Sequence, residues 1–485
     1  MKLSNQFASL GNQFSGFSNP EKPEQPITLL WNEGLANELG LDLNDEQKAA
    51  YFSGQLPIPG STPIAMAYSG HQFGHFNPQL GDGRAHLLGE IIDSKGVQQD
   101  IQLKGSGQTP YSRNGDGKCG IKPAVREYIM SEAMHALGVP TTRCLAVVTT
   151  GETIYRQATT PGAVVTRIAS SHIRVGTFEY FAARGMHEEI NTLTDLTIQR
   201  HFPEITQQKN SKYINFLSHV IDKQINLITE WMRVGFIHGV MNTDNTLLSG
   251  QTIDYGPCAM MGVYDPATVF SSIDHNGRYA FGNQAQIAQW NMARLVECLL
   301  ALIDEDEKQA IKLVTPLIES FSEKYNHAFN AMMAHKLGFE QASNEVNDLQ
   351  QSLLKIMYQS SLDYTETFVQ LQEALTAVNH NENQTNIHIN SHLNDWFHSW
   401  FELLNQSKIT CNEAHELMKL NNPLVIPRNH HIEKVLDEIE TTTDIQPIQH
   451  FQAVLNSPYS LQEHTHLFQD TSSEQDLNYQ TYCGT

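Results

Sequence analysis

The stretch HGVMNTDNTLL, His238 to Leu248, and the triplet DYG, Asp254 to Gly256, decide how this chain is read. Apart from His238, their polar side chains carry oxygen atoms able to ligate a cation. Asn245 and Asp254, nine residues apart, suit a hard cation such as Mg²⁺ or Mn²⁺. Upstream, Tyr213 to Val234 carries apolar residues at Ile214, Leu217, Val220, Ile221, Ile225, Ile228 and Trp231, close to the 3.6-residue period of a helix. Thr246 to Leu248 predicts a short strand after the loop.

Further clusters lie toward the N terminus. Lys104 ends a strand predicted over Asp100 to Lys104, and Glu127 follows in a helix predicted over Pro123 to Leu137. Gly81, Gly83 and Arg84 precede a strand predicted over Ala85 to Ile92. Glycines let backbone amides approach an anion, and Arg84 adds a guanidinium fork. Asp116 and Gly117 lie in a turn, Asn114 to Lys118. Arg167 and Arg174 add two more groups suited to phosphate.

A strand Lys, a helical Glu, a loop His and Asn, then Asp-x-Gly is the order of the protein-kinase nucleotide site. The pattern predicts an α+β, protein-kinase-like two-lobed fold with a strand-rich N-lobe, a helical C-lobe and extensions at both ends. One position departs. Val240 stands where a kinase has its catalytic Asp, and an aliphatic side chain accepts no proton from a hydroxyl. Two readings stay open on the residues alone, an inactive nucleotide-binding pseudokinase scaffold and different chemistry on the same fold; conventional phosphorylation is the least favoured. Asp244 is either a replacement base or a structural carboxylate.

The expected boundaries are an N-terminal extension over 1–60, an N-lobe over 61–168, a C-lobe over 169–380, and a C-terminal helical region and tail over 381–485. Within them, Cys144 to Thr149 and Thr153 to Arg156 read as a hairpin turned at Gly151-Glu152, and Ala163 to Ile168 as a strand. Helices are expected over 289–303, 308–335 and 344–378, then a polar linker over 380–392. The C-terminal helices are expected on the second lobe.

Composition bounds the function. The 485 residues hold 31 Lys and Arg against 53 Asp and Glu, a net charge of −22. That argues against nucleic acid and anionic membranes as partners. The acidity spares residues 81–180, where eleven Lys and Arg face nine Asp and Glu. A nucleotide cleft needs only such a local field. Six scattered Cys without a CxxC argue against a disulfide scaffold or zinc cage. With no secretory pattern at the start and no long apolar run, a cytoplasmic protein is expected. A monomer is expected as well, on no feature of the sequence.

Several longer words are more specific. YSGHQFGH (Tyr68–His75), QLGDGRA (Gln79–Ala85), QLKGSGQTPYSR (Gln102–Arg113), MNTDN (Met241–Asn245), DYGPC (Asp254–Cys258) and YC (Tyr482–Cys483) resemble the selenoprotein O family. The resemblance implies a kinase-like fold that binds ATP inverted and transfers AMP to Ser, Thr or Tyr hydroxyls of proteins. For some bacterial relatives it implies Mn²⁺-dependent transfer of UMP from UTP. It places the nucleotide at Gly81, Gly83, Arg84, Lys104, Asp116, Gly117, Arg167 and Arg174, with Glu127 pairing Lys104. Asn245 and Asp254 would hold the metal and Asp244 would accept the proton. A redox pair, Cys258 with Cys483, would close the tail over the site.

Overall fold

Two adjacent runs rich in β-branched residues organise the sheet. In the computed structural model, which describes residues 1–156, 158–205, 209–379, 389–442, 444–471 and 479–481, they form antiparallel strands over Arg143–Tyr155 and Thr159–Ala169. Val147 and Val165 enter one apolar cluster and Val148 and Val164 another. Successive side chains point to opposite faces. Both faces are covered, so these strands read as continuous apolar runs rather than as alternation.

In chain order the strands are β1 (Ser15–Phe17), β2 (Ile27–Trp31), β3 (Ile64–Met66), β4 (Gly70–Gln72), β5 (His75–Asn77), β6 (Ala85–Ile92), β7 (Gln98–Lys104), β8 (Cys119–Gly120), β9 (Arg143–Tyr155) and β10 (Thr159–Ala169), followed by a short pair, β11 (Phe236–Ile237) and β12 (Ala259–Met260). The main sheet runs β1-β3-β6-β7-β10-β9-β2, with β8 also on β10. Helices α1 (Glu33–Glu38) and α2 (Asp45–Phe52) cover one face, and α3 (Ile121–Ala136) lies against β9 and β10 on the other. Residues 1–60, expected as an outer extension, thus supply both outermost strands.

The expected hairpin turn at Gly151 is absent. Thr149 pairs with Ala163 and Thr153 with Pro161, so three residues of β9 oppose Gly162 alone. Gly151, at φ 77°, makes a bulge inside one 13-residue strand.

The second half is helical: α4 (Val175–Ala182), α5 (His187–His201), α6 (Lys209–Val234), α7 (Gln284–Ile303), α8 (Glu307–Lys336), α9 (Asn344–Gln359), α10 (Tyr364–Asn379), α11 (Asn394–Gln406), α12 (Cys411–Asn421), α13 (Asn429–Thr442) and α14 (Gln446–Leu455). The single helix expected over 344–378 is two. Between α9 and α10, Ser361 turns to φ 51° and Arg428 grips the Asp363 carboxylate at 2.8 and 3.1 Å. Helices α13 and α14 pack on α3, the sheet's own helix, rather than joining the helical half alone. Lys122 pairs with Asp437 and Glu440, and Arg126 with Glu433, across that contact. Among the described residues no helix is long and apolar enough to cross a membrane.

Candidate active site

Strand register assembles the cationic wall. β10 pairs with β7 so that Arg167 lies opposite Gln102 and Val165 opposite Lys104. Arg167 and Lys104 therefore share a face, the one α3 covers. Lys104 Nζ donates to Glu127 Oε2 at 2.6 Å, and Arg167 Nε donates to the other Glu127 oxygen. Burial alone would push the Glu127 carboxyl up; Arg167 and Lys104 outweigh it and hold it below the usual range.

Asp254 reaches the same two cations. Its Oδ1 is 3.2 Å from Lys104 Nζ and 3.6 Å from Arg167. Against the effect of burial, Lys104, Arg167 and Arg84 hold it well below the ordinary carboxylate range. Its backbone sits at φ 66°, unusual for a residue other than glycine. Asn245 Nδ2 lies 3.5 Å from Asp254 Oδ2 and donates to Val240 O at 3.1 Å. Among the described residues the Asn245 amide oxygen accepts no hydrogen bond. An amide oxygen beside an ionised carboxylate suits Mg²⁺ or Mn²⁺.

His238 latches the loop from beneath. Its Nε2–H donates to Ile253 O at 2.9 Å, and its Nδ1 accepts from Val240 N at 3.3 Å. Those two bonds require one neutral tautomer, and burial lowers the imidazole pKa accordingly. Thr243 to Asn245 form a 3₁₀ turn. The strand expected over Thr246 to Leu248 reduces to one isolated bridge between Leu247 and Arg174.

Asp244 is set differently from Asp254. Its side chain is buried, its Oδ2 accepts from Gln72 Nε2 at 3.3 Å, and its Oδ1 has no hydrogen-bond partner among the described residues. Burial pushes its carboxyl up to about 7, although Arg174 nearby opposes the shift. Arg174 donates to the Asp244 carbonyl at 3.1 Å and lies over the Tyr68 ring at 4.3 Å. The β4–β5 hairpin fixes the loop from outside: His71 N donates to Thr243 Oγ1 and Phe73 N to Asn242 Oδ1.

Gly81, Gly83, Arg84, Lys104, Asp116, Gly117, Arg167, Arg174, Asp244, Asn245 and Asp254 all line one cleft of about 420 Å³. That is ligand-sized. Glu127 is the buried partner behind it. Asp116 lines the cleft with its carboxylate held by both Arg156 nitrogens at 2.8 Å, so it orders the turn through Arg156. Tyr68, Gln72 and Arg156 were not singled out as individual residues by sequence. Tyr68 and Gln72 lie within the quoted word YSGHQFGH, whereas nothing local marks Arg156.

Cys258 is buried and burial pushes its thiol up to about 12. Cys483 lies outside the described residues, and so does its expected pairing. The described end of the tail is close by: Thr481 Oγ1 donates to Pro257 O at 2.6 Å, and Thr481 N to Phe270 O at 2.8 Å.

Residues 1–456 match a family model described as protein adenylyltransferase SelO. A protein nucleotidyltransferase YdiU of Pseudoalteromonas translucida is 49 % identical over 490 residues, covering all of both chains. The YdiU of Teredinibacter turnerae is 48 % identical over 490 residues, again covering all of both chains. That of Halalkalibacterium halodurans is 47 % identical, over 97 % of this chain and 95 % of its own. With this coverage, and with the quoted words gathered around one cleft, the chain belongs to the SelO family of protein nucleotidyltransferases.

Proposed function

We propose that the chain transfers AMP from ATP to Ser, Thr or Tyr hydroxyls of other proteins, on a protein-kinase-like two-lobed scaffold with ATP inverted. The observation that carries this reading is a cleft with kinase-type Lys104, Glu127, Asn245 and Asp254 but aliphatic Val240 at the catalytic position. Surplus cations support it. Arg167 and Arg174 each keep a buried terminal nitrogen without a hydrogen bond among the described residues. A triphosphate entering β- and γ-end first would meet them, leaving the α-phosphorus toward the mouth.

In this reading Lys104, Arg84, Arg167 and Arg174 bind and orient the buried phosphates. Gly81, Gly83 and Gly117 allow close backbone approach. Asn245 and Asp254 would hold Mg²⁺ or Mn²⁺, which when bound neutralises phosphate charge. Asp244 takes the proton of the acceptor hydroxyl. The hydroxyl oxygen bonds to the α-phosphorus, and the bond to the bridging oxygen breaks to release pyrophosphate. Catalysis is then positioning and charge stabilisation. Cys258 and Cys483 would form a reversible disulfide on loss of two electrons to an external oxidant, drawing the tail over the site. The Thr481–Pro257 contact supports that approach.

The test is donor labelling. With Mg²⁺ or Mn²⁺ and a protein acceptor, ATP labelled at the α-phosphate is expected to leave label on protein, and γ-labelled ATP none. Transfer from the γ position would establish phosphorylation instead. Label from α-labelled UTP in preference to ATP would assign uridylylation. A second expectation concerns Gly81, at φ 84°, where a Cβ would overlap the Tyr111 ring. Gly81→Ala is expected to weaken nucleotide binding by about tenfold or more, read by titration calorimetry.

A further inference from the structure

At the start of α13 a second cluster of ligating side chains lies outside the cleft. His430 and His431 are adjacent, with ring centroids 4.1 Å apart. His430 Nε2 is 3.2 Å from Asp470 Oδ2, and His431 Nε2 is 2.6 Å from Asp470 Oδ1. One ligand atom from each residue lies within 4.8 Å of the others. Both imidazoles are turned to a residue about forty positions away in sequence. We propose that His430, His431 and Asp470 bind a zinc-class divalent cation that fastens the start of the C-terminal tail to α13.

The donor chemistry separates this site from the cleft. Two imidazoles and one carboxylate suit Zn²⁺ and its neighbours among the transition metals, whereas Asn245 and Asp254 offer oxygen alone. Bonds of 2.0–2.1 Å to a tetrahedral ion set ligand atoms about 3.3 Å apart. The 2.6 Å His431–Asp470 pair opens to reach that spacing, and the 3.2 Å His430–Asp470 pair is already close to it. The surroundings are also suitable. Both histidine side chains are only 12 % exposed, and the Phe451 and Phe468 rings pack on His431. The Asp470 side chain is 59 % exposed, which leaves a solvent side for water as fourth ligand.

The placement gives the ion a structural task. On the same helix, Glu433 pairs with Arg126 of α3, and the Tyr479 hydroxyl of the tail also donates to Glu433. A cation at Asp470 would add a second tie between the tail and α13, beside the Tyr479–Glu433 contact. The ion would therefore fasten the chain at Asp470 without entering the cleft.

The experiment titrates the full-length chain, free of any purification tag, with Zn²⁺ in excess Mg²⁺. One Zn²⁺ per chain is expected. Asp470→Asn and His431→Ala are each expected to weaken it by more than the roughly 10–100-fold that loss of an outer-shell partner costs. Asp254→Ala should retain it. Asp470 is exposed, so its substitution leaves the fold intact, and circular dichroism verifies this for both variants. Failure of the wild-type chain to bind Zn²⁺ under these conditions would overturn the proposal. So would Zn²⁺ binding that neither Asp470→Asn nor His431→Ala changes.

Discussion

Asp254→Ala should lower nucleotidyl transfer by at least about 10³-fold, because it removes a proposed metal ligand and the charge facing two cations. Lys104 Nζ and Arg167 both contact its Oδ1, and their other shared anion is Glu127. Without Asp254 the cationic wall persists and still attracts a polyphosphate. Nucleotide binding in the presence of a chelator is therefore expected to survive while transfer is lost. Asp254→Asn separates charge from shape, since Asn tolerates the positive φ at this position better than Ala does. It should bind nucleotide as Asp254→Ala does and remain inactive. Substantial transfer by either variant, measured with α-labelled donor across a Mg²⁺ titration, would remove Asp254 from the metal site.

Asp244→Asn should reduce turnover by about 10²–10⁴-fold, the usual worth of a positioned general base. The same substitution should stabilise the metal-free protein at alkaline pH. The sign follows from burial, which raises the folded-state carboxyl to about 7 against an ordinary value of 3.8. Between those values the folded chain holds a proton that the unfolded chain has released. Wild-type stability from this group is present below the unfolded value and is lost as pH rises through about 7. An amide never ionises. The gain in Tm of Asp244→Asn over wild type should therefore open between about pH 4 and 7 and stay constant above. A gap that is flat with pH would mean that Asp244 is not buried as an ionisable group. Loss of turnover without a stability gain would point to disruption of the Asn242–Asn245 turn.

The cleft residues singled out in the sequence were legible because each carries a local mark. Lys104 ends an alternating run, Glu127 sits in a well-punctuated helix, and Asn245 and Asp254 keep a fixed spacing. What escaped depends on distant partners. Gly151 marks a left-handed backbone, which a hairpin turn and a bulge require equally, and only Gly162 across the ladder distinguishes them. The break between α9 and α10 contains neither Gly nor Pro; Asp363 caps the start of α10 by accepting from Glu366 N at 2.9 Å, and Arg428, 65 residues away, holds the same carboxylate. Strands β1 and β2 have three and five residues, too few for a period to emerge. Gln72 gains its role only when the β4–β5 hairpin meets a loop 172 residues away.

The position of β2 imposes an order on biosynthesis. Ile27 lies 122 residues before its partner Thr149 on β9. At roughly 5–20 residues per second, the ribosome needs roughly 6–24 s to make that partner after residues 27–31. Throughout that interval the nascent Ile-Thr-Leu-Leu-Trp segment is a β-prone strand without its ladder, the kind of edge that pairs with other chains. Among the strands of the sheet, β2 is one of the first to be synthesised and one of the last to be paired. Slower translation across residues 32–145 would prolong that exposure and raise the demand on chaperones, with no change to the finished protein.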